Sequence, residues 1–412
     1  MSVTEAHLQA ATNRLRGHPL DYGAWLEVAA ALVVLGTEED KELAFSMIGE
    51  GARIGGQVAL AIACGRHLAE TGSVRGPEII EAVIEMYAEQ KKPPRGAKSR
   101  PTTKGEAPTA STSAGAPMVL EGEGTPLEEA RVLVQKLGAW LMAREVPKVP
   151  TAPLLSALSK AGARALVGVM SARAAPAGTV IINVGEPATA LYWLAHGTVT
   201  VSRETGVELG ELHSGAFFGE IALVSASMRT ARVTARDDVW VLEIPARAVE
   251  KAAQKHPQLA QVLAVHARQR LLANLVRTSE LFRALDEDDR DALLAKLSTE
   301  MVAAGTTFIT EGQTNDYLWV VVSGRCEVKS GGTAITELGP GAAVGEISLV
   351  SGAPAVADVT ALEPAVLLRL SKTDFDVVAK KHPALLAEVE KLVVARETAN
   401  RALYQDASDL IV

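Results

Sequence analysis

The stretch AGTVIINVGEPATALYWLAHGTVTV at residues 177–201 occurs a second time as AGTTFITEGQTNDYLWVVVSGRCEV at residues 304–328. Gly178, Leu191 and Gly197 align with a glycine, a leucine and a glycine 127 residues later. In both stretches apolar residues alternate with other residues, and glycine-rich turns recur about every eight to twelve positions, as in small antiparallel β-domains. The sequence therefore predicts two tandem β-domains of one family.

The repeat extends beyond these strands. FFGEIALV at residues 217–224 parallels AVGEISLV at residues 343–350, and KHP at residues 255–257 parallels KHP at residues 381–383. A helical segment is predicted to close each copy. We expect an α+β multidomain chain with N-terminal α-helical hairpins and a flexible linker, followed by two antiparallel β-barrel or jelly-roll domains, each flanked by helices.

Residues 1–90 show helical periodicity and no strand pattern, with apolar residues such as Trp25, Leu26 and Ala29 at spacings of three and four. The arrangement of the predicted helix pairs resembles tetratricopeptide-type hairpins, which stack into surfaces that hold other proteins. This resemblance implies docking of an unidentified protein partner. A plain helical bundle is the alternative.

Residues 91–124 are rich in Pro, Gly, Ser, Thr and Ala and contain few large apolar side chains, so they predict a flexible linker. The first half is basic and can contact an acidic partner or act only as a solvated tether. Residues 125–278 are assigned to the first β-domain with a leading helix. Residues 279–412 are assigned to the second β-domain with a C-terminal helix.

The composition argues against several classes of partner. A net charge of −8 gives no general attraction to nucleic acid or anionic lipid. No apolar run approaches the roughly 20 residues that span a bilayer, and the N-terminus has no signal-peptide pattern. The two cysteines, Cys64 and Cys326, are far apart and outside any CxxC pattern, which favours buried thiols in a reducing compartment. We expect a cytoplasmic protein without a membrane segment.

Residues 218–233, FGEIALVSASMRTARV, resemble the phosphate-binding cassette of cyclic-nucleotide-binding domains. This family is found in regulatory subunits of cyclic-nucleotide-dependent kinases, catabolite activator protein and gated channels. The resemblance covers about 260 residues and rests on four features that occur together: the β pattern, GEIAL, an arginine nine residues after the glutamate, and the KHP segment. We call residues 218–233 the first cassette. The resemblance implies cAMP or cGMP as the ligand and no cofactor or metal.

The residue types of the first cassette suit an anionic cyclic phosphate. Arg229 can bind the phosphate through charge-assisted, bidentate hydrogen bonds. A short helix beginning near Ile221 and Ala222 points free backbone N–H groups at the same group, and Gly219 allows close backbone approach. The resemblance implies that Glu220 accepts a hydrogen bond from the ribose 2′-hydroxyl. The predicted ligand-binding residues are Phe218, Gly219, Glu220, Ile221, Ala222, Arg229, Thr230 and Ala231.

The nucleotide base stays undecided at this level. Thr230 can bond the exocyclic amine of a syn guanine, but catabolite activator protein also has a hydroxyl residue there and uses cAMP. Both cAMP and cGMP therefore remain open. A scaffold whose β-domains no longer bind nucleotide is a further alternative.

The second copy departs from the pattern. Gly345 and Glu346 are retained, but Ala355 stands nine residues after the glutamate, where the arginine is expected. We call residues 344–359 the second cassette. A bound phosphate there would face Glu346 without a compensating cation, so we predict a structural or interface domain. A site for an uncharged or different ligand is the alternative.

The helices after the β-domains carry two further hypotheses. The resemblance implies that the helix after the first copy moves to cover the base, and Arg268, Leu271 and Leu275 are candidates for that lid. The apolar residues of the last helix approximate a coiled-coil seam that Arg396 interrupts. A homodimer through this helix is possible, and packing of its first apolar residues on the chain's own β-domain is favoured. The seam residues are Leu385, Val389, Leu392, Ala399 and Leu403.

The sequence contains no metal-binding HxH pair, GxSxG elbow or P-loop, so we expect no catalytic activity. About 40 residues follow Leu370, which are enough for closing helices but not for a DNA-reading domain. Two functions remain: a regulatory adaptor that passes a ligand signal to a partner, and a kinase regulatory subunit. RGAKSRP at residues 95–101 is a poor version of the substrate-like inhibitory sequence that the second function would place in the linker.

Overall fold

The computed structural model describes residues 5–89, 124–143, 152–202, 206, 208–219, 229, 231–263, 279, 281–282 and 285–409. The chain divides into two compact units, which we describe separately. The first contains the described parts of residues 1–184, 189–220 and 231–264, and the second contains the described parts of residues 185–188, 221–230 and 265–412.

The N-terminal part is helical, as predicted. Its helices are α1 Glu5–Gly17, α2 Tyr22–Leu35, α3 Glu38–Ile54, α4 Val58–Glu70, α5 Arg75–Tyr87 and α6 Pro126–Met142. Local sequence fixes their starts: the Thr37 hydroxyl accepts from the Asp40 N–H, and the Asp40 carboxylate accepts from the Thr37 N–H, which forms a capping box at α3. Thr125 and Glu128 form the same box at α6.

Helix α6 lies elsewhere than the sequence suggests. We assigned it to the first β-domain, but it packs against α1 and α3 of the N-terminal helices. The Arg131 guanidinium donates two hydrogen bonds to the Asp40 carboxylate at 2.8 and 2.7 Å, and Arg16 donates to Glu129 at 2.7 Å. The contact with Arg131 lowers the pKa of Asp40. These pairs join residues about a hundred positions apart, so no local pattern could reveal them.

Two short helices, α7 Pro153–Ser156 and α8 Lys160–Gly168, precede the first β-domain, and α9 Ala246–Lys255 follows it. Its strands are β1 Ser171–Ala175, β2 Val180–Ile182, β3 Ala190–His196, β4 Thr198–Ser202, β5 Glu208–His213, β6 Phe217–Phe218, β7 Arg232–Ala235 and β8 Val239–Pro245. They form two antiparallel sheets in the orders β1-β8-β3-β6 and β2-β7-β4-β5. This is the jelly-roll form of the prediction, and among the described strands the two sheets do not join into a closed barrel.

The second β-domain repeats this architecture. It comprises α10 Glu287–Lys296, β9 Ser298–Val302, β10 Thr307–Ile309, β11 Tyr317–Ser323, β12 Cys326–Ser330, β13 Thr333–Leu338, β14 Ala343–Val344, α11 Glu346–Ser351, β15 Asp358–Ala361, β16 Ala365–Ser371, α12 Lys372–Lys381 and α13 Pro383–Asp409. The sheet orders are β14-β11-β16-β9 and β10-β15-β12-β13. The KHP turns also agree, because His256 and His382 both end a helix with nearly equal backbone angles.

Strand β3 explains how the N-terminal helices attach to the first β-domain. It is buried along its length. Tyr192 and Leu194 face the core between the sheets, and helix α4 packs against β3, β1 and β8. At this contact the Trp240 ring lies 5.5 Å from the Phe45 ring and 5.4 Å from the His67 ring, measured between centroids. The N-terminal helices therefore share an apolar interface with the sheet β1-β8-β3-β6.

We expect the first unit to lose stability on mild acidification. Burial lowers the pKa of His67, and Lys41 lowers it further. The folded state favours the neutral imidazole of His67. The contribution of this residue to the free energy of unfolding is therefore fully present above the ordinary histidine pKa, and it is lost as the pH falls from there through the lowered pKa of the folded state. Urea unfolding followed at about pH 7.5 and about pH 5.5 should show a lower midpoint at the acidic pH. A His67→Phe variant should lose part of this difference, and an unchanged difference would contradict the assignment.

The two cysteines are free and buried, as predicted. Burial raises the pKa of the Cys64 thiol and raises that of Cys326 to about 11. Within the part of the chain that the structure describes, no helix combines the length and the apolar character needed to cross a membrane.

Candidate functional site

The first cassette begins at the end of β6. Phe218 is buried and stacks on Tyr192 with ring centroids 5.3 Å apart, and Gly219 follows with a φ of +83°. This left-handed conformation is the reason for glycine at the position. Ala231 is partly buried at the far end of the cassette. The predicted residues Glu220, Ile221, Ala222 and Thr230, and the lid candidates Arg268, Leu271 and Leu275, lie outside the described residues.

Arg229 is buried, with only 5% of its surface exposed. Its backbone is held on both sides: its N–H donates to the Glu186 carbonyl at 2.8 Å, and its own carbonyl accepts from the Gly185 N–H at 2.9 Å. Arginine is rarely buried without a compensating group, because desolvating its charge is costly. The fold therefore holds a guanidinium inside the protein at the position expected to anchor a phosphate.

The equivalent position of the second copy is occupied by Ala355. Its N–H donates to the Gln313 carbonyl at 2.8 Å, and its carbonyl accepts from the Gly312 N–H at 2.8 Å. These partners are the repeat equivalents of Glu186 and Gly185, 127 residues later, so the backbone pairing is the same in both copies. The alignment of Ala355 with Arg229 is thereby confirmed. The alanine side chain belongs to an apolar cluster with Trp319 and Val344.

Gly345 connects β14 to helix α11 with a φ of +89°. A Cβ atom added there would lie 2.6 Å from the Tyr317 carbonyl oxygen and 2.6 Å from the Asn315 side-chain nitrogen. Asn315 is itself held in place, because its amide donates to the Tyr317 carbonyl at 2.7 Å. The turn that carries Glu346 thus has both a conformational and a steric need for glycine.

Gly345→Ala should therefore destabilise the second domain more than a backbone effect alone. A left-handed conformation costs a non-glycine residue roughly 1–2 kcal/mol, and the overlap with a backbone oxygen adds to that cost. Gly332→Ala is the matched control, since its φ is +80° and nothing lies within 4 Å of the added atom. Urea unfolding should show the larger loss for Gly345→Ala. Equal losses would mean that the surrounding residues move away without cost.

Glu346 is almost completely buried, with 1% of its surface exposed. Arg396 of helix α13 donates from Nη1 to both carboxylate oxygens, at 3.0 and 3.1 Å, and from Nη2 to the Ala343 carbonyl at 2.5 Å. A cation beside Glu346 was not predicted from the sequence, where only the missing arginine at the position of Ala355 was considered. Burial raises the pKa of Glu346, and the charge of Arg396 opposes the shift.

The sequence offered one signal for this contact. Arg396 is the charged residue that interrupts the apolar seam of the last helix. Leu385 and Val389 are fully buried in the core of the second β-domain, and Leu392 packs against it. Packing of the seam on the chain's own domain is therefore confirmed for these three residues. The side chains of Ala399 and Leu403 lie outside the described residues.

The described residues contain no group of three His, Cys, Asp or Glu side chains that could hold a metal ion. Both cassettes share a positive-φ glycine and a buried residue whose backbone pairs with the turn that follows β2 or β10. In the first copy the side chain of that residue is cationic, and in the second it is not.

Comparison with known proteins agrees with this geometry. The family described as "Cyclic nucleotide-binding domain" matches residues 172–256 and 299–382. A cGMP-dependent protein kinase of Caenorhabditis elegans is 30% identical over 248 residues, which cover 58% of this chain and 30% of the kinase. A cAMP-dependent protein kinase regulatory subunit of Debaryomyces hansenii is 27% identical over 199 residues, covering 48% of this chain and 42% of that protein.

The chain thus spans less than half the length of these two curated relatives. Among solved structures, the regulatory domain of Toxoplasma gondii PKA with cAMP aligns at a TM-score of 0.28 and 21% identity, over 60% of this chain and 92% of that one. The repeat, the paired cassette geometry and the two family matches lead to one conclusion. The chain contains two cyclic nucleotide-binding domains in tandem, at residues 172–256 and 299–382.

Proposed function

We propose that the protein is a non-catalytic regulatory sensor of cAMP or cGMP that binds its ligand in the first β-domain. The observation that carries the proposal is the buried guanidinium of Arg229, held at the anchor position of a domain that matches the cyclic nucleotide-binding family. A cyclic phosphate that replaces the groups around this cation would offset the cost of desolvating both charges.

The other proposed ligand contacts follow the predicted roles of the first cassette. Glu220 accepts from the ribose 2′-hydroxyl, the backbone near Ile221 and Ala222 donates to the phosphate, and Thr230 lies next to the base. The choice between cAMP and cGMP stays open, since the relatives include a cGMP-dependent kinase and a regulatory subunit of a cAMP-dependent kinase. The second domain, with Ala355, is proposed to be a structural or interface domain.

The signal is proposed to leave the first domain by movement of the helix that follows it and to reach a protein partner. The N-terminal helices, which resemble tetratricopeptide hairpins, are the proposed docking region. Support for this route comes from the contact of α4 with β1, β3 and β8, which joins the docking region directly to the ligand-binding domain. A cytoplasmic location is part of the same proposal.

A kinase regulatory subunit is the second candidate. It is favoured by the similarity to the Debaryomyces hansenii regulatory subunit, which extends over 199 residues. The two candidates differ in their partner. If the full chain captures a protein kinase that dissociates on addition of cAMP or cGMP, the second candidate is supported, and a partner without kinase activity favours the adaptor.

Binding assays with nucleotide analogues test the proposed site. We expect saturable binding of cAMP or cGMP and weaker binding of the 2′-deoxy analogue, because it removes the hydroxyl that Glu220 accepts from. Loss of a hydrogen bond to a charged group should cost roughly 10-fold to 100-fold in affinity. The linear 5′-monophosphate is the control for phosphate charge alone. Absence of any cyclic-nucleotide binding would refute the function, and equal binding of the 2′-deoxy analogue would refute the role of Glu220.

A further inference from the structure

We propose that the C-terminal helix α13 occupies the second cassette in place of a nucleotide. Arg396 binds the carboxylate of Glu346 and holds this domain closed without a nucleotide. The inference concerns a second, intramolecular binding function and does not depend on ligand binding by the first domain.

The geometry is that of a clamp on a short turn. Arg396 reaches Glu346 through Nη1 and the Ala343 carbonyl through Nη2. Ala343 belongs to β14 and Glu346 opens α11, so one guanidinium binds both sides of the turn that contains Gly345. Arg396 thereby fixes helix α13 to the part of the domain that would otherwise contact a ligand.

Both oxygens of the Glu346 carboxylate accept from Arg396, and the carboxylate is 1% exposed. A ribose hydroxyl could bond this group only after displacing a charge-assisted contact. No compensating phosphate contact is available at Ala355, which is buried in the apolar cluster. The balance of interactions therefore favours the arginine of the chain over a nucleotide.

The rest of helix α13 keeps Arg396 close to its partner. Val389 and Leu385 are fully buried about two and three turns before it, and they fix the helix against the core of the domain. Because the arginine is tethered, it competes with any free ligand at a high effective concentration. An occupant that is part of the chain needs no cofactor to complete the fold of the second domain.

Hydrogen exchange of helix α13 tests the proposal in the full chain. Arg396→Gln leaves Glu346 buried and unpaired, and amide exchange across the helix near residues 390–398 should accelerate roughly 10-fold to 100-fold. Lys391→Gln is the matched control, since that lysine lies on the same helix with 71% of its side chain exposed and pairs only locally with Glu388. It should leave exchange unchanged.

A double variant distinguishes the effect of the Arg396–Glu346 pair from the general stability of helix α13. Glu346→Gln combined with Arg396→Gln removes both charges, so its exchange should be slower than that of Arg396→Gln alone. Additive effects of the two substitutions would overturn the proposal.

A second experiment uses the Arg229→Ala variant, in which a high concentration of cAMP or cGMP should leave the hydrogen-exchange protection of α13 unchanged. A change in that protection would show a nucleotide displacing Arg396, and it would overturn the proposal as well.

Discussion

Arg229→Ala should weaken the binding of cAMP or cGMP by about 30-fold to 1000-fold, because the cyclic phosphate loses its only proposed side-chain cation in a desolvated site. Arg229 is 5% exposed, and hydrogen bonds with Gly185 and Glu186 fix its backbone, so the point from which its side chain extends is defined. Titration calorimetry with the purified full chain measures the effect directly.

Two further variants make this result specific. Arg236→Ala removes an arginine seven positions further along the chain whose side chain is 60% exposed and pairs with Glu211, so affinity should stay at the wild-type level. Arg229→Lys keeps the charge but loses the planar, bidentate geometry, and should fall between wild type and alanine. Circular dichroism checks that each variant is folded. Wild-type affinity in folded Arg229→Ala would disprove the assigned anchor.

Phe45→Ala should have the largest effect on stability, with a loss of about 3–5 kcal/mol in the free energy of unfolding of the first unit. Phe45 is 2% exposed and contacts the His67 ring at 4.5 Å and the Trp240 ring at 5.5 Å. Truncation leaves a cavity between the N-terminal helices and the sheet, where the packed strands cannot close around it. Urea unfolding followed by tryptophan fluorescence reports the change.

Val34→Ala serves as the control for Phe45, because Val34 is 62% exposed on a neighbouring helix. Its substitution should change the free energy of unfolding by less than about 0.5 kcal/mol. If Phe45→Ala were equally mild, the helices and the sheet would not share a cooperative interface, and the proposed route from ligand to docking region would lose its physical basis.

The repeat made the fold predictable. Equivalent glycines such as Gly197 and Gly324, with φ of +89° and +87°, are needed by the same turns in both copies, so the sequence retains them. The spacing of Arg229 from Glu220 also predicts the anchor, and the backbone pairing shows that Arg229 and Ala355 occupy equivalent positions. Patterns of period two and short fixed spacings are local, and they survive in a single sequence.

Contacts between distant elements could not be predicted in this way. An amphipathic helix shows that one face is buried but not what covers it, so α6 was assigned to the wrong neighbour and Arg396 was treated as an interruption of a seam. Arg396 and Glu346 are 50 residues apart, and their pairing depends on how α13 folds back over the cassette. Long-range pairs of this kind are set by tertiary packing.

The claim that one cassette binds nucleotide and the other is occupied by the chain itself has a direct measurement, the stoichiometry of cyclic-nucleotide binding by calorimetry. We predict one site per chain in the wild-type protein and in the Arg236→Ala control, and loss of that site in Arg229→Ala. Two equivalent sites per chain, or a site of undiminished affinity that remains after Arg229 is replaced, would contradict this account.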